Sequence, residues 1–183
     1  MDNPKQQSTG TDLAERLGEE SWTYINTVIN TAADPFLILD KNLCVGAANK
    51  AFYALFQVAP KDTEHKFVRD LGNGEWNIPA LEVLLEGIIP NNTFFGGFEV
   101  DREFPLIGRR VMLLNGRRIY KEGETSSKFP PIILLAMVDI TQMTMIAHEL
   151  ADHVSQIEST MNERADKLEI EVTQLKKDVA DLK

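Results

Sequence analysis

The strongest constraint on this sequence is an apolar strand that runs directly into a long helical pattern. Residues 131–138 (PIILLAMV) are mostly aliphatic, Asp139, Ile140 and Thr141 follow, and the helical pattern then continues to Lys183. No glycine or proline interrupts this last segment. The order is typical of a domain that passes a change through its last strand into an emerging helix, and it does not suggest catalysis.

Length and charge limit the number of domains and the classes of partner. At 183 residues with 43% hydrophobic content, the chain can bury the core of one medium domain with helical extensions. Its net charge of −9 and pI near 4.9 argue against nucleic acid or an anionic membrane as partner, because neither attracts an acidic protein. No apolar run reaches the length of a membrane span, and no signal-peptide pattern opens the chain. We therefore predict a cytoplasmic protein with no nucleic-acid binding and no membrane insertion.

The chain contains few residues of the types that usually bind metals. Cys44 is the single cysteine, so an intramolecular disulfide and a multi-cysteine metal site are excluded. A structural zinc would need histidines and carboxylates, and the only histidines are His65, His148 and His153. We predict no metal site.

Hydrophobic periodicity divides the chain into four parts: a disordered end at 1–10, a cap helix at 11–33, a central domain at 34–141 and a helix at 142–183. Inside the domain, residues 36–39 and 43–48 form a predicted hairpin, and Asn49 caps a short helix. A helical turn is predicted at 67–71, and a helix follows at about 78–88. Residues 90–92 (PNN) stop this helix. The side chains that it turns toward the core are Leu81, Leu84, Leu85 and Ile88. Strands are expected at 94–104, 109–120 and 132–138, with an exposed loop at 121–128. Asn115-Gly116 could turn a hairpin inside the second of these strands, but we favour a continuous strand with a bulge.

Several segments carry a family resemblance when they are taken in order. They are DPFLILD at 34–40, ANKAF at 48–52, LGNGEWNIPAL at 71–81, FPLIGRRVMLLN at 104–115 and DIT at 139–141. The chain resembles a PAS domain of the type found in bacterial sensor histidine kinases and related signalling proteins. The resemblance implies an α+β fold, with a five-stranded antiparallel sheet, short helices on one face and a cavity between them. It also implies that Asp139 and Thr141 join the sensor to its output helix.

The last helix carries a coiled-coil seam. Ala147, Leu150, Val154, Ile157 and Met161 alternate steps of three and four residues. The seam resumes after an extra step of four, a stutter, at Ala165, Leu168, Val172, Leu175, Val179 and Leu182. We predict a parallel homodimer through this helix, with a second contact from Trp22, Ile25 and Ile29 of the cap helix. The alternative is one amphipathic helix packed on its own domain.

His148 admits two interpretations. The segment IAHEL at 146–150 resembles the phosphoacceptor box of sensor kinases, but the residues that follow it differ from that pattern. No nucleotide-binding loop follows either. A surface histidine is favoured, and a phosphoacceptor His148 is kept as the alternative.

The cofactor and ligand are not identified by the sequence. Cys44 lacks the flanking residues of flavin photosensors, and His65 lies in a polar loop, so flavin and haem are both disfavoured. The residues expected around a ligand cavity are Phe52, Phe56, Trp76, Leu81, Leu85, Phe98, Met112 and Leu135. These side chains can equally fill the space themselves. A basic strip that could pair with an acidic ligand or partner is formed by Arg109, Arg110, Arg117 and Arg118, although solvated strand residues are the commoner case.

These features predict a sensory and dimerisation module that passes a change in the PAS core to a coiled-coil output helix. The alternative is the input and partial dimerisation segment of a sensor histidine kinase, in which an output or kinase domain lies beyond the C-terminus. The chain itself is expected to be non-enzymatic, because it offers no nucleophile, metal cluster or phosphate loop.

Overall fold

A computed structural model describes residues 19–91, 93–119 and 131–181. The chain divides into two compact units, with the boundary between Ile140 and Thr141. The expected end at 1–10, the first part of the cap helix and the loop at 121–128 lie outside the described residues. The elements are α1 (Glu19–Asn30), β1 (Phe36–Leu39), β2 (Val45–Ala48), α2 (Lys50–Phe56), α3 (Pro60–Thr63), a 3₁₀ turn (Val68–Asp70), α4 (Pro79–Asn91), β3 (Phe94–Phe104), β4 (Gly108–Ile119), β5 (Ile132–Asp139) and α5 (Thr141–Asp181).

The five strands form one antiparallel sheet in the order β2-β1-β5-β4-β3. The last strand in sequence, β5, therefore lies in the middle of the sheet, between β1 and β4. Such an order requires the long connection through α2, α3 and α4 before β3 begins. The predicted fold class, a five-stranded antiparallel sheet with short helices, is confirmed.

The main core lies between the sheet and the helices α2 to α4. Alternation along β1 turns Leu37 and Leu39 toward this core and Ile38 to the opposite face. The fully buried side chains of the inner face and its helices are Leu37, Leu39, Phe52, Leu81, Leu85, Ile88, Met112, Leu114, Ile133, Leu135 and Met137. Burial of each such side chain contributes about 1.5–3 kcal/mol, so this layer provides most of the domain's stability.

The opposite face of the sheet is covered in part by α1. Ile25 and Ile29, one helical turn apart, pack against a second cluster formed by Ile38, Ala47 and Ile132. This contact makes α1 an integral layer of the domain. It corresponds to the later part of the helix predicted at 11–33.

Asn49 ties α1 to the start of α2. Its side chain is fully buried, and its Oδ1 accepts hydrogen bonds from the amides of Phe36 (2.9 Å) and Phe52 (3.0 Å). Its Nδ2 donates to the carbonyl oxygens of Ile29 (3.1 Å) and Asp34 (2.8 Å). The predicted N-cap is therefore present, and the same amide also holds the end of α1.

The long strand β4 is continuous, as predicted, and Asn115-Gly116 does not turn a hairpin. The bulge, however, lies in the neighbouring strand. Phe95 pairs with Gly116 and Phe98 with Leu114, so β3 contains one extra residue at Gly96-Gly97. The left-handed φ of Gly97, 71°, suits glycine at this position.

Helix α4 differs from its prediction in two respects. Leu84 was expected to face the core, but it is 37% exposed, whereas Leu81, Leu85 and Ile88 are buried. The helix also continues through Pro90 to Asn91. Three of its last carbonyl groups accept hydrogen bonds from residues beyond the helix. Thr93 Oγ1 donates to the carbonyl oxygen of Gly87 (3.2 Å), and the amide of Thr93 donates to that of Ile88 (3.2 Å). Arg118 Nη1 donates to the carbonyl oxygen of Ile89 (3.2 Å). These bonds satisfy carbonyl groups that the end of the helix leaves without intrahelical donors.

Helix α5 is a single element of 41 residues. Across the residues that the structure describes, no helix combines the length and the apolar character needed to cross a membrane.

Candidate functional site

The residues predicted around a cavity come together in the main core. Seven of them are buried, and Phe98 is partly buried against the same cluster. The aromatic rings are in direct contact, with centroids 4.7 Å apart for Phe52 and Phe56 and 5.4 Å apart for Phe56 and Trp76. The rings of Phe52, Phe56 and Trp76 therefore pack against one another beside α2.

Phe104 completes this aromatic cluster and was missing from the predicted set. Its ring centroid lies 5.2 Å from that of Phe56 and 5.8 Å from that of Trp76. Phe104 ends β3, far from α2 in sequence, so only the fold reveals the contact. The available signal was the segment Phe104-Pro105-Leu106, a run of apolar residues at a predicted strand end.

An open groove of about 570 Å³ lies at the outer edge of the aromatic cluster. We call it the rim groove. Phe56, Trp76 and Phe104 form its apolar floor, and it is bounded by α3, the loop after the 3₁₀ turn and the turn between β3 and β4. Its remaining residues include Gln57, Lys61, Asp62, Lys66, Asn73, Glu75 and Leu106. This volume lies in the usual range for small-molecule sites.

The charged groups around the rim groove differ in their contacts. The Glu75 carboxylate accepts a hydrogen bond from the amide of Asn73 (2.6 Å). Nearby, the Tyr53 hydroxyl donates to Glu64 (2.8 Å), and burial, followed by this bond, raises the pKa of Tyr53 above its ordinary range. Both glutamates therefore have partners inside the protein.

The strand that leads into α5 ends in an ion pair. The Asp139 carboxylate, at the last position of β5, lies 3.5 Å from Nη1 of Arg110 on β4. The next amide, of Ile140, donates to the carbonyl oxygen of Val111 (2.9 Å). Thr141 is the first residue of α5, so both predicted signal-transfer residues lie at the junction.

The predicted basic strip separates into four individual contacts. Arg109 forms a two-pronged bond with Asp101 (2.7 and 2.5 Å), which holds the pKa of that carboxyl below its ordinary value. Arg110 pairs with Asp139, Arg118 reaches the end of α4, and Arg117 lies over the ring of Phe94, 5.9 Å from its centroid. The strip is therefore engaged within the domain.

Two other residues that the sequence analysis considered are His148 and Cys44. On α5, His148 is exposed, with Nδ1 3.1 Å from the carbonyl oxygen of Thr144. Cys44 is partly exposed, and burial raises the pKa of its thiol. The described residues contain no group of His, Cys, Asp and Glu side chains that could hold a metal ion.

The predicted dimerisation residues fall into two groups. Ile25 and Ile29 are partly buried against their own sheet, and the side chain of Trp22 lies outside the described part. The residues on α5 are exposed, from 47% to 64% of their surface: Leu150, Val154, Ile157, Met161, Leu168, Val172 and Leu175.

Comparison with solved structures identifies the architecture. No protein-family model matches the sequence, and no curated protein matches it. A PAS domain from Colwellia psychrerythraea is similar in structure, with 14% identity, a TM-score of 0.51, and coverage of 66% of this chain and 98% of that domain. The fold is that of a PAS domain.

Two further structures share this PAS architecture. The phage VqmA–DPO complex has 14% identity and a TM-score of 0.55, covering 74% of this chain and 62% of VqmA. The LOV protein of Rhodobacter sphaeroides has 13% identity and a TM-score of 0.53, covering 67% of this chain and 68% of that protein. At these identities the likeness describes the fold alone.

Proposed function

We propose that this PAS domain is a sensory and dimerisation module that passes a change in its core to α5, which pairs with α5 of a second copy. The observation that carries the proposal is the exposed apolar seam of α5, which follows the central strand β5 with only Ile140 between them. In a parallel dimer, the seams of the two α5 helices would face each other along the same chain direction.

The seam provides enough apolar surface for association. Leu150, Val154, Ile157 and Met161 are between 47% and 64% exposed, and Met143, at 71%, lies one step of four before Ala147. Burying each residue of this size contributes up to about 1.5–3 kcal/mol. A helix of 41 residues extends about 60 Å at ~1.5 Å per residue, longer than a small domain can cover. Pairing with a second copy accounts for this length.

The connection between core and output is short. Phe104, in the floor of the rim groove, pairs with Gly108 at the start of β4. Arg110, two residues further along the same strand, forms the ion pair with Asp139. A displacement of Phe104 therefore acts on β4 close to the residue that holds the end of β5, and we propose that Asp139 and Thr141 pass it to α5.

Helix α1 has a smaller role in the proposed dimer. Ile25 and Ile29 already pack against their own sheet, so less apolar surface remains for a partner. The exposed side of α1 carries Tyr24 (72%) and Val28 (51%). We propose that α5 provides most of the association energy and that any contact from α1 is secondary.

Light scattering of the full chain at micromolar concentration tests this function. We expect a dimer, and we expect the double variant Ile157→Glu, Leu168→Glu to be a monomer, because each charge enters an apolar seam. The matched control is Ser159→Glu, an exposed position between Ile157 and Met161 that lies outside the seam, and it should remain dimeric. A monomeric full chain, or equal weakening by the control, would contradict the proposal.

A further inference from the structure

The second half of α5 carries charged side chains on both flanks of its seam. In the heptad notation abcdefg, the seam residues from 165 to 175 occupy positions a and d. The positions beside them hold Arg164 and Glu171 at g, and Glu169 and Lys176 at e. All four residues are exposed. A helix that packs on this seam therefore meets charge on both flanks.

Three of these flanking charges have no complement on their own helix. Opposite charges on one helix support each other when they are three or four residues apart. No acidic residue lies at those distances from Arg164 or Lys176, and no basic residue lies at those distances from Glu169. Among the described residues, none of the three forms an ion pair. The outer face of the helix differs, since Glu163 lies four residues before Lys167.

The spacing of the flanking charges matches a parallel pair of identical helices. In such a pair, each g residue lies beside the e residue that comes five positions later on the second helix. Arg164 then faces Glu169, and Glu171 faces Lys176, so both combinations are attractive. Two-fold symmetry forms each of them twice. An antiparallel pair brings g positions against g positions, where Glu171 and Asp178 are both acidic, and like charges oppose that arrangement.

We propose that these flanking ion pairs determine the partner of α5, a second copy of the same helix that lies parallel and in register. The selective charges belong to the second half of the helix. In the first half, the e and g positions from Ile146 to Thr160 carry a single formal charge at neutral pH, on Glu158.

This inference rests on the proposed dimerisation and adds the interactions that choose the partner and its direction. The two proposals fail separately. A monomeric natural chain contradicts the dimer itself, whereas a dimer that does not respond to these charges contradicts only the present inference.

Charge reversal in the full chain tests the ion pairs. Glu169→Arg places two cations beside each other on both flanks of the dimer, so the dimer Kd measured by analytical ultracentrifugation should rise about tenfold. The double variant Arg164→Glu, Glu169→Arg exchanges the charges and should return the Kd to within about twofold of the natural value. Because these positions are five residues apart, no contact within one helix accounts for the rescue. The matched control is Asp166→Arg, the same change of charge at an exposed position outside the seam and its flanks, and it should keep the natural Kd.

Mixing two single variants tests the direction of pairing. Arg164→Glu and Glu169→Arg each bring like charges together in their own dimers, but a mixed parallel dimer restores both attractive pairs. With a different fluorescent label on each variant, energy transfer should show heterodimers well above the statistical half. A statistical mixture, or a Kd in the double variant as high as that of Glu169→Arg, would overturn the proposal.

Disulfide formation tests the register. Val154→Cys and Val172→Cys, each in the full chain with Cys44→Ser, place one thiol on the seam on either side of the stutter. These positions are ~27 Å apart along the helix, so both meet their own counterparts only in a parallel, in-register dimer. We expect both variants to form a covalent dimer under mild oxidation. A covalent dimer in one variant alone, or in neither, would contradict the proposed alignment.

Discussion

Asp139 and Arg110 form a half-buried ion pair on adjacent strands, with 3.5 Å between carboxylate oxygen and guanidinium nitrogen. Their side chains are 27% and 30% exposed, so solvent screens this pair less than a surface pair. The Nε atom of Arg110 is buried and has no hydrogen-bond partner among the residues that the structure describes. Asp139 therefore stabilises a guanidinium that is already poorly solvated.

Replacing Asp139 with alanine should destabilise the domain. Arg110 would keep its half-buried charge without this carboxylate, and we expect a loss of about 1–2 kcal/mol in the free energy of unfolding. Urea denaturation followed by tryptophan fluorescence measures it. The control is Asp101→Ala, which removes the carboxylate of the more exposed pair with Arg109 and should have a smaller effect. An equal or larger loss in the control would contradict this account.

The pair between Asp101 and Arg109 predicts a pH dependence. The hydrogen bond from Arg109 lowers the pKa of Asp101 in the folded state. A carboxyl with a depressed pKa adds stability at pH values above its unfolded pKa of about 3.9, and that stability is lost as pH falls through the folded value. The stability difference between the natural chain and Arg109→Gln should therefore be present at neutral pH and disappear in acid. NMR titration of Asp101 should show its pKa rising in Arg109→Gln, and an unchanged pKa would contradict the prediction.

Gly116 should not tolerate a side chain. A Cβ at this position would overlap the ring of Phe95 and come within 2.9 Å of Ile88 Cδ1, so Gly116→Ala should destabilise the domain by about 1–3 kcal/mol. A Cβ at Gly87, inside α4, would meet only the side chain of Asn91, at an ordinary contact distance of 3.7 Å. Gly87→Ala should instead stabilise the domain by about 0.5–1 kcal/mol. Thermal melting should show a lower melting temperature for Gly116→Ala and a higher one for Gly87→Ala. Similar shifts in both variants would show that close packing at Gly116 does not determine the effect on stability.

Asn49 should be among the most sensitive polar positions. Asn49→Ala removes four hydrogen bonds at a fully buried site and leaves buried backbone groups without partners, so we expect a loss of about 2–4 kcal/mol. The Asn30 side chain makes two hydrogen bonds at a partly exposed position: it accepts from the amide of Lys50 (2.8 Å) and donates to the carbonyl oxygen of Asn26 (2.8 Å). Asn30→Ala should lose about 1 kcal/mol. Hydrogen exchange of α1 should accelerate in the first variant, and unchanged exchange would argue against Asn49 as the tie between α1 and the core.

The apolar pattern was sufficient to predict the strands and the caps, because local alternation and turn residues determine them. The rim groove was not predictable in the same way, since it depends on Phe104 meeting α2 across the domain. Ile25 and Ile29 pack against their own sheet, and the sequence contained a signal for this contact that the interpretation of the cap helix overlooked. Residues 36–39 and 132–135 are apolar on both faces of the sheet, which indicates that both faces are covered.

The stutter of α5 should be the adaptable part of the output helix. Ile157, Met161 and Ala165 follow one another at steps of four, so near Arg164 neither seam phase is strongly enforced. Deleting residues 161–164 joins Thr160 to Ala165 and restores steps of four and three. We expect a higher melting temperature of the helical signal and an output fixed in one state.

The matched control for this deletion removes residues 161–167 instead. It joins Thr160 to Leu168, which keeps the two successive steps of four while it shortens the helix further. If continuity of the seam matters, the four-residue deletion should melt at a higher temperature than the natural chain and the control should melt at a lower one. Circular dichroism at several protein concentrations measures both, because melting of a dimer shifts with concentration. A lower melting temperature in both deletions would show that the stutter is not a weak point, and the irregularity would then have no role in switching.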